Sequence, residues 1–137
     1  MSLRIFLWTK LTNIYPTYLR WRYKMNIGKN VRISWKCHLD KSVNPMGIYI
    51  GDNTWVLNGC MILSHDHCRS LITDTFIGKH CIIGVRSIIM PGVKICNEVV
   101  VASGSVVVKD CPDNCIVAGN PAKIIKLGIR VNNGKIV

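Results

Sequence analysis

Ser64-His65-Asp66-His67 is the densest run of chemically competent side chains in the sequence. An imidazole titrates near neutrality, so it can take a proton from a nucleophile and return it within one turnover. Here two imidazoles flank one carboxylate, and the chemistry that suits them is activation of a hydroxyl or amine by a general base. A direct His65–Asp66 pair is disfavoured, because neighbours on a strand point to opposite faces. Asp40, Ser42 and Asn44 lie at comparable places earlier in the chain. Cys60, His65, His67, Cys68, His80 and Cys81 do not follow the spacing of a zinc finger or knuckle, so no metal is expected.

What must position this cluster is a repeat of six. From Ile27 the chain reads IGKNVR, ISWKCH, LDKSVN; after residues 45–49, IGDNTW, VLNGCM, ILSHDH; after residues 68–76, IGKHCI, IGVRSI, IMPGVK, ICNEVV, VASGSV, VVKDCP. All twelve first positions (27, 33, 39, 50, 56, 62, 77, 83, 89, 95, 101 and 107) are Ile, Leu or Val. Eleven of twelve fifth positions are Val, Cys, Thr or Ser, and the exception is Asp66. A period of six is neither helical nor simply alternating. It suits short strands joined by tight corners, with an aliphatic side chain pointing inward and a small one where the corner crowds the axis. Three strands close one turn, which gives coils 27–44, 50–67, 77–94 and 95–112. Both insertions follow a third strand, so they are expected to project from one edge, a usual place for a binding site. Cys37, Cys60, Cys81 and Cys111 are then core residues of the fifth column.

The 137 residues suffice for one domain, and 49% hydrophobic content can build its core. No stretch approaches the roughly 18 apolar residues of a membrane span, and the start does not read as a secretory signal. Seven cysteines with no disulfide framework imply free thiols in a reducing cytosol. The net charge of +11 is uneven: eight basic residues precede the first acid, Asp40. That points to an anionic partner near the N-terminal end. No motif that reads nucleic acid is present, so none is expected as a partner.

Residues 1–25 fall outside the sixes. Leu7, Leu11, Ile14 and Tyr18 recur at helical spacing, and Pro16 is expected to kink or split the segment. A helix here would cap the open end of the array. Its interleaved aromatics and basics also suit a segment (residues 1–24) lying on the inner face of a membrane. Residues 26–119 form the array. Residues 120–137 form a basic tail with Lys123, Lys126, Arg130 and Lys135.

The sequence resembles the hexapeptide-repeat acyltransferases. The pattern [LIV]-[GAED]-x-x-[STAV]-x covers about 27–112, with many second positions departing from it. Gly104-Ser105-Val106-Val107-Val108-Lys109-Asp110, followed by Gly119-Asn120-Pro121-Ala122-Lys123, looks like the CoA-binding end of that family. The SHDH cluster resembles the sugar O-acetyltransferase branch. Ile82 stands where the galactoside and maltose enzymes commonly carry Trp, which leaves the surface-polysaccharide type as the better fit.

The resemblance implies an all-β fold, a left-handed parallel β-helix shaped as a triangular prism of about four coils, behind a short helical segment. It implies a homotrimer with sites between subunits, acetyl-CoA as co-substrate, and a sugar or lipid-linked sugar as acceptor. It makes His65 the general base, with His67, Asp66 and Asn44 as substrate contacts. Gly84 would permit close approach of the thioester. The backbone of Ala102 and Ser103 would meet the pantetheine amides, and Lys109, Lys123 and Lys126 the CoA phosphates. An amine or amino-acid acceptor, as in serine acetyltransferases, is the alternative; those enzymes carry a long helical N-terminal domain. A carbonic-anhydrase-like hydratase of the same fold would need a three-His spacing that His65-x-His67 lacks. A non-catalytic repeat scaffold would need neither the SHDH cluster nor the lysines.

Overall fold

A computed structural model describes residues 2–137. One helix, α1 (Leu3–Tyr23), precedes a three-sided coil of short strands, most of two or three residues. Strands Asn26–Ile27, Ile48–Ile50, Thr75–Ile77 and Lys94–Ile95 stack in parallel as the first sheet. Arg32–Ile33, Trp55–Val56, Ile82–Ile83, Val100–Val101 and Cys115–Gly119 form the second. His38–Leu39, Met61–Ile62, Ile88–Ile89 and Val106–Val107 form the third.

The register follows the sixes. Ile27 pairs with Ile50, Ile50 with Ile77 and Ile77 with Ile95, and the other two sheets behave alike. All twelve first positions are buried, none more than 8% exposed. They stack into one apolar column per face, and those columns are the core. The fifth column is buried as well, Cys37, Cys60, Cys81 and Cys111 included. Burial pushes the Cys81 and Cys111 thiols up to about 12, which makes them inert packing groups. Val43 and Asp66 alone leave that column, and both stand where an insertion departs.

Eight of the twelve fourth residues turn through the left-handed region: Asn30, Asn53, His80 and Glu98 at one corner, Gly59, Arg86 and Gly104 at the next, and Gly92 at the third. This conformation turns the chain from one face of the prism onto the next within one residue. Asn and Gly adopt it most cheaply.

The chain departs from expectation in three places. First, α1 runs unbroken through Pro16. The proline forgoes one backbone bond, but its ring and Leu19 are buried against the first coil, and that packing offsets the loss. Arg20 fixes the junction by donating Nε to the Ile27 carbonyl at 2.8 Å and its terminal nitrogen to Gly28 O. Second, the Leu7, Leu11, Ile14 and Tyr18 stripe is 42–60% exposed and does not pack into the core, with only Leu11 flanking the cleft beside the second sheet. Third, the segment after Pro112 carries strand order further. Cys115–Gly119 adds to the second sheet, and Ala122–Leu127 folds back on it antiparallel.

Candidate active site

Both insertions leave the corner between the third and first sheets. The first holds a single short turn, Pro45–Gly47. The second opens as an antiparallel hairpin of His65–Asp66 with Leu71–Ile72. His65 is the fourth residue of its block, where a regular corner would turn left-handed, yet it lies in an extended strand. The hairpin carries the chain off the prism at that point, so the imidazole stands at the edge, 29% exposed by its side chain.

His65 Nδ1 is hydrogen-bonded to Asp40 Oδ2. A carboxylate only accepts, so Nδ1 carries the proton and the neutral ring keeps its lone pair on Nε2. Asp40 is 1% exposed. Its Oδ2 also accepts from the Ser64 hydroxyl at 2.9 Å and from the Ser64 N–H at 3.3 Å, and its Oδ1 from the Val43 N–H at 3.3 Å. Burial alone would raise the Asp40 pKa. The hydrogen bonds from His65, from Ser64 and from the Val43 N–H outweigh it, with the charge that His65 carries once protonated adding to them, and hold the carboxyl below its ordinary value. The result is a base whose tautomer and ring plane are set by a buried anion.

Asp40, Ser42 and Asn44 all stand near this corner by sequence, and nothing in the spacing singles out Asp40. It occupies the second position of its block, beside the inward-pointing Leu39. Strand alternation therefore sends its side chain away from the core. It is buried because Ser64 and His65 of the next coil and the Val43 backbone close around it. One available sign was that Asp40 is the first acid after 39 residues without one.

The other expected substrate contacts fall into place differently. Asp66 faces Arg69 across the hairpin turn, Nε to Oδ2 at 2.5 Å, and also accepts from the Arg69 N–H. It does not pair with His65. His67 is exposed on the same turn. Asn44 ties the two insertions together, with Nδ2 3.4 Å from both Ser64 O and Thr73 O, while its main-chain carbonyl lies 2.6 Å from the Ser64 hydroxyl and shares that one proton with Asp40.

Gly84, Ala102 and Ser103 lie at a different corner, between the second and third sheets. A Cβ on Gly84 would stand 2.4 Å from Val101 O and 2.6 Å from Ser103 N. The close stacking of adjacent coils therefore by itself demands glycine there. Gly84→Ala should lower the unfolding free energy by about 1–3 kcal/mol through overpacking. Chemical denaturation checks this, and an unchanged midpoint would refute the packing account.

Lys109 is on the His65 corner two coils on, whereas Lys123 and Lys126 are exposed on the antiparallel strand. Among the described residues none of the three makes an ion pair. Within one chain, then, the His65–Asp40 pair and the Gly84–Ser103 corner occupy separate edges of the prism. Among the described residues no group of three or more His, Cys, Asp or Glu is arranged to hold a metal ion.

Residues 75–109 match the family described as hexapeptide repeat of succinyl-transferase. The Bacillus subtilis protein YvoF, named as an acetyltransferase, is 36% identical over 114 residues, which are 82% of this chain and 63% of that protein. The galactoside O-acetyltransferase of Escherichia coli is 28% identical over 120 residues, 81% of this chain and 58% of the enzyme. The chain thus spans less than two thirds of either relative. Among solved structures, the polySia-specific acetyltransferase NeuO superimposes with a TM-score of 0.63 at 29% identity, covering 74% of this chain and 50% of that one. The serine acetyltransferase of Brucella abortus in complex with coenzyme A gives 0.57 at 26% identity, covering 75% and 40%. These matches identify the coil as the left-handed β-helix of hexapeptide-repeat proteins, the exception to right-handed crossovers.

Proposed function

We propose that this chain, which belongs to the hexapeptide-repeat family, is an acetyl-CoA-dependent O-acetyltransferase acting on a sugar hydroxyl, with His65 as general base. The observation that carries this reading is the His65–Asp40 pair: a ring fixed through Nδ1 by a buried carboxylate, leaving Nε2 free at an exposed edge. In the proposed step Nε2 takes the hydroxyl proton while that oxygen bonds to the thioester carbonyl carbon. Collapse of the tetrahedral intermediate breaks the C–S bond, and the imidazolium returns the proton to the departing thiolate. The products are an acetyl ester and free CoA. Asp40 stabilises the imidazolium without itself changing protonation.

The acceptor best supported is a sugar of a surface polysaccharide precursor. The relatives at hand include one enzyme named for galactosides and one for polySia. Acetyl-CoA would lie with its phosphates near Lys109, Lys123 and Lys126 and its pantetheine along Ala102 and Ser103. Because the Gly84–Ser103 corner is separate from His65 within a chain, a complete site would form where two copies of a homotrimer meet.

An acceptor screen with acetyl-CoA, read as free thiol, tests the reading. Release with saccharides and not with serine or other amines is the expected outcome. Release with amines alone would move the chain to the serine-acetyltransferase type of activity.

A further inference from the structure

We infer that α1 docks on an anionic lipid bilayer through the stripe that its own β-helix leaves bare. The inference rests on the charge and exposure of α1, not on the transfer chemistry proposed above. Pro16 and Leu19 are the helix residues buried against the coil. On the opposite side Leu3, Leu7, Ile14, Tyr18 and Trp21 are 42–72% exposed and lie along one line of the helix, with Leu11 at its margin toward the second sheet. An apolar stripe of this length is covered by something in its working environment. Beside it a cavity of about 500 Å³ opens between α1 and the second sheet, walled by Trp8, Leu11, Tyr15, Trp35 and Trp55. Trp8 and Trp35, at 60% and 73% exposure, extend the aromatic surface along this edge.

Charge selects the occupant. The helix has no acid and carries Arg4, Lys10, Arg20 and Arg22, with Lys24 as its C-cap. Arg20 is committed to backbone carbonyls. The other four have no acidic partner among the described residues. A second copy of this chain offers little to meet them. Of its seven acids, Asp40, Asp52, Asp66, Glu98, Asp110 and Asp113 are already bonded internally, and the copy carries the same net charge of +11. A polyanion such as nucleic acid would meet the cations but leave Leu7, Ile14 and Trp21 in water. An anionic bilayer answers both features: hydrocarbon for the stripe, headgroup phosphates for the cations that snorkel beside it, and the interfacial layer for tryptophan. Among the described residues no helix is long and apolar enough to cross a membrane, so the contact lies in the interface plane. This arrangement would bring a lipid-linked acceptor to the enzyme by holding both on one surface.

The test is co-sedimentation of the full chain with vesicles of phosphatidylcholine alone and of phosphatidylcholine mixed with phosphatidylglycerol. Binding to the mixed vesicles, weakened by salt and by omission of phosphatidylglycerol, is expected. Leu7→Gln with Ile14→Gln should lower that binding by about tenfold or more, since both side chains would lose hydrocarbon contact. Circular dichroism and the oligomeric mass control for folding and assembly. Binding that survives the double substitution would overturn the inference. So would wild-type protein that stays off both kinds of vesicle, or a double variant whose oligomeric mass falls, since then a second copy covers the stripe. Arg4→Gln with Lys10→Gln gives an independent arm: it should lower binding only to vesicles that contain phosphatidylglycerol. Because partition is read without turnover, failure of the transfer reading and failure of this one are separately visible.

Discussion

His65→Ala is expected to lower kcat for CoA release by about 10²–10⁴-fold, the range that general-base catalysis contributes. The protein should stay folded. His65 is partly exposed, and its loss leaves Asp40 still accepting from the Ser64 hydroxyl, the Ser64 N–H and the Val43 N–H. The KM for acetyl-CoA should change little, since the backbone proposed to meet the pantetheine lies at another corner and His65 itself contacts none of the three lysines. His67→Ala is the internal comparison. His67 is exposed on the hairpin turn, and no carboxylate orients its ring among the described residues. Its loss should leave turnover close to wild type. Free thiol measured in stopped samples of the three proteins decides the matter. Unchanged turnover in His65→Ala would sink the base assignment. A collapse in His67→Ala with His65→Ala unaffected would transfer the role.

The repeat was legible because each block states the same thing. One aliphatic residue per six, recurring twelve times, leaves a single register in which all twelve can be buried together. The pairings of Ile27 with Ile50 and Ile83 with Val101 follow from it. The edge that carries the site was legible from the insertions, since a loop that breaks a periodic array must leave at a corner. The helix was legible too, but its orientation was not. A stripe at spacings of three and four shows that one face is apolar and says nothing about what covers it. Here Leu19 is fully buried and anchors the helix, while the longer stripe faces outward. Asp40 was hidden for a different reason. Its contact with His65 spans 25 residues and depends on how the strand at Met61–Ile62 stacks on His38–Leu39, which no local pattern around Asp40 encodes. The final antiparallel strand, Ala122–Leu127, follows the array where the period of six has stopped and so carried no repeat signal.

Asp40→Asn should separate positioning from folding. The substitution keeps the shape and removes the charge, so the amide can no longer fix the Nδ1–H tautomer or stabilise the imidazolium. A loss in kcat of about 10²-fold or more is expected, with little change in the KM for acetyl-CoA. A merely structural role would instead show lower stability and a reduced active fraction, with the turnover per folded site preserved. Stability gives a second readout with a definite sign. The folded pKa of Asp40 lies below its unfolded value near 3.8, because the hydrogen bonds from His65 and Ser64 outweigh the penalty of burial. The folded state therefore binds that proton less readily than the unfolded state. The stability contributed by the carboxylate is fully present above the unfolded pKa and is lost as pH falls through the folded pKa. Wild type should exceed Asp40→Asn by about 1.5–3 kcal/mol at neutral pH, the scale of hydrogen bonds to a buried charge. The gap should narrow on acidification below about pH 4. Denaturant midpoints of both proteins, measured from neutrality down to that range, check it. A gap that is constant with pH would mean the Asp40 carboxylate is not the partner holding His65. A gap that grows on acidification would mean that its pKa is raised on folding, and that burial rather than the His65 contact dominates its environment.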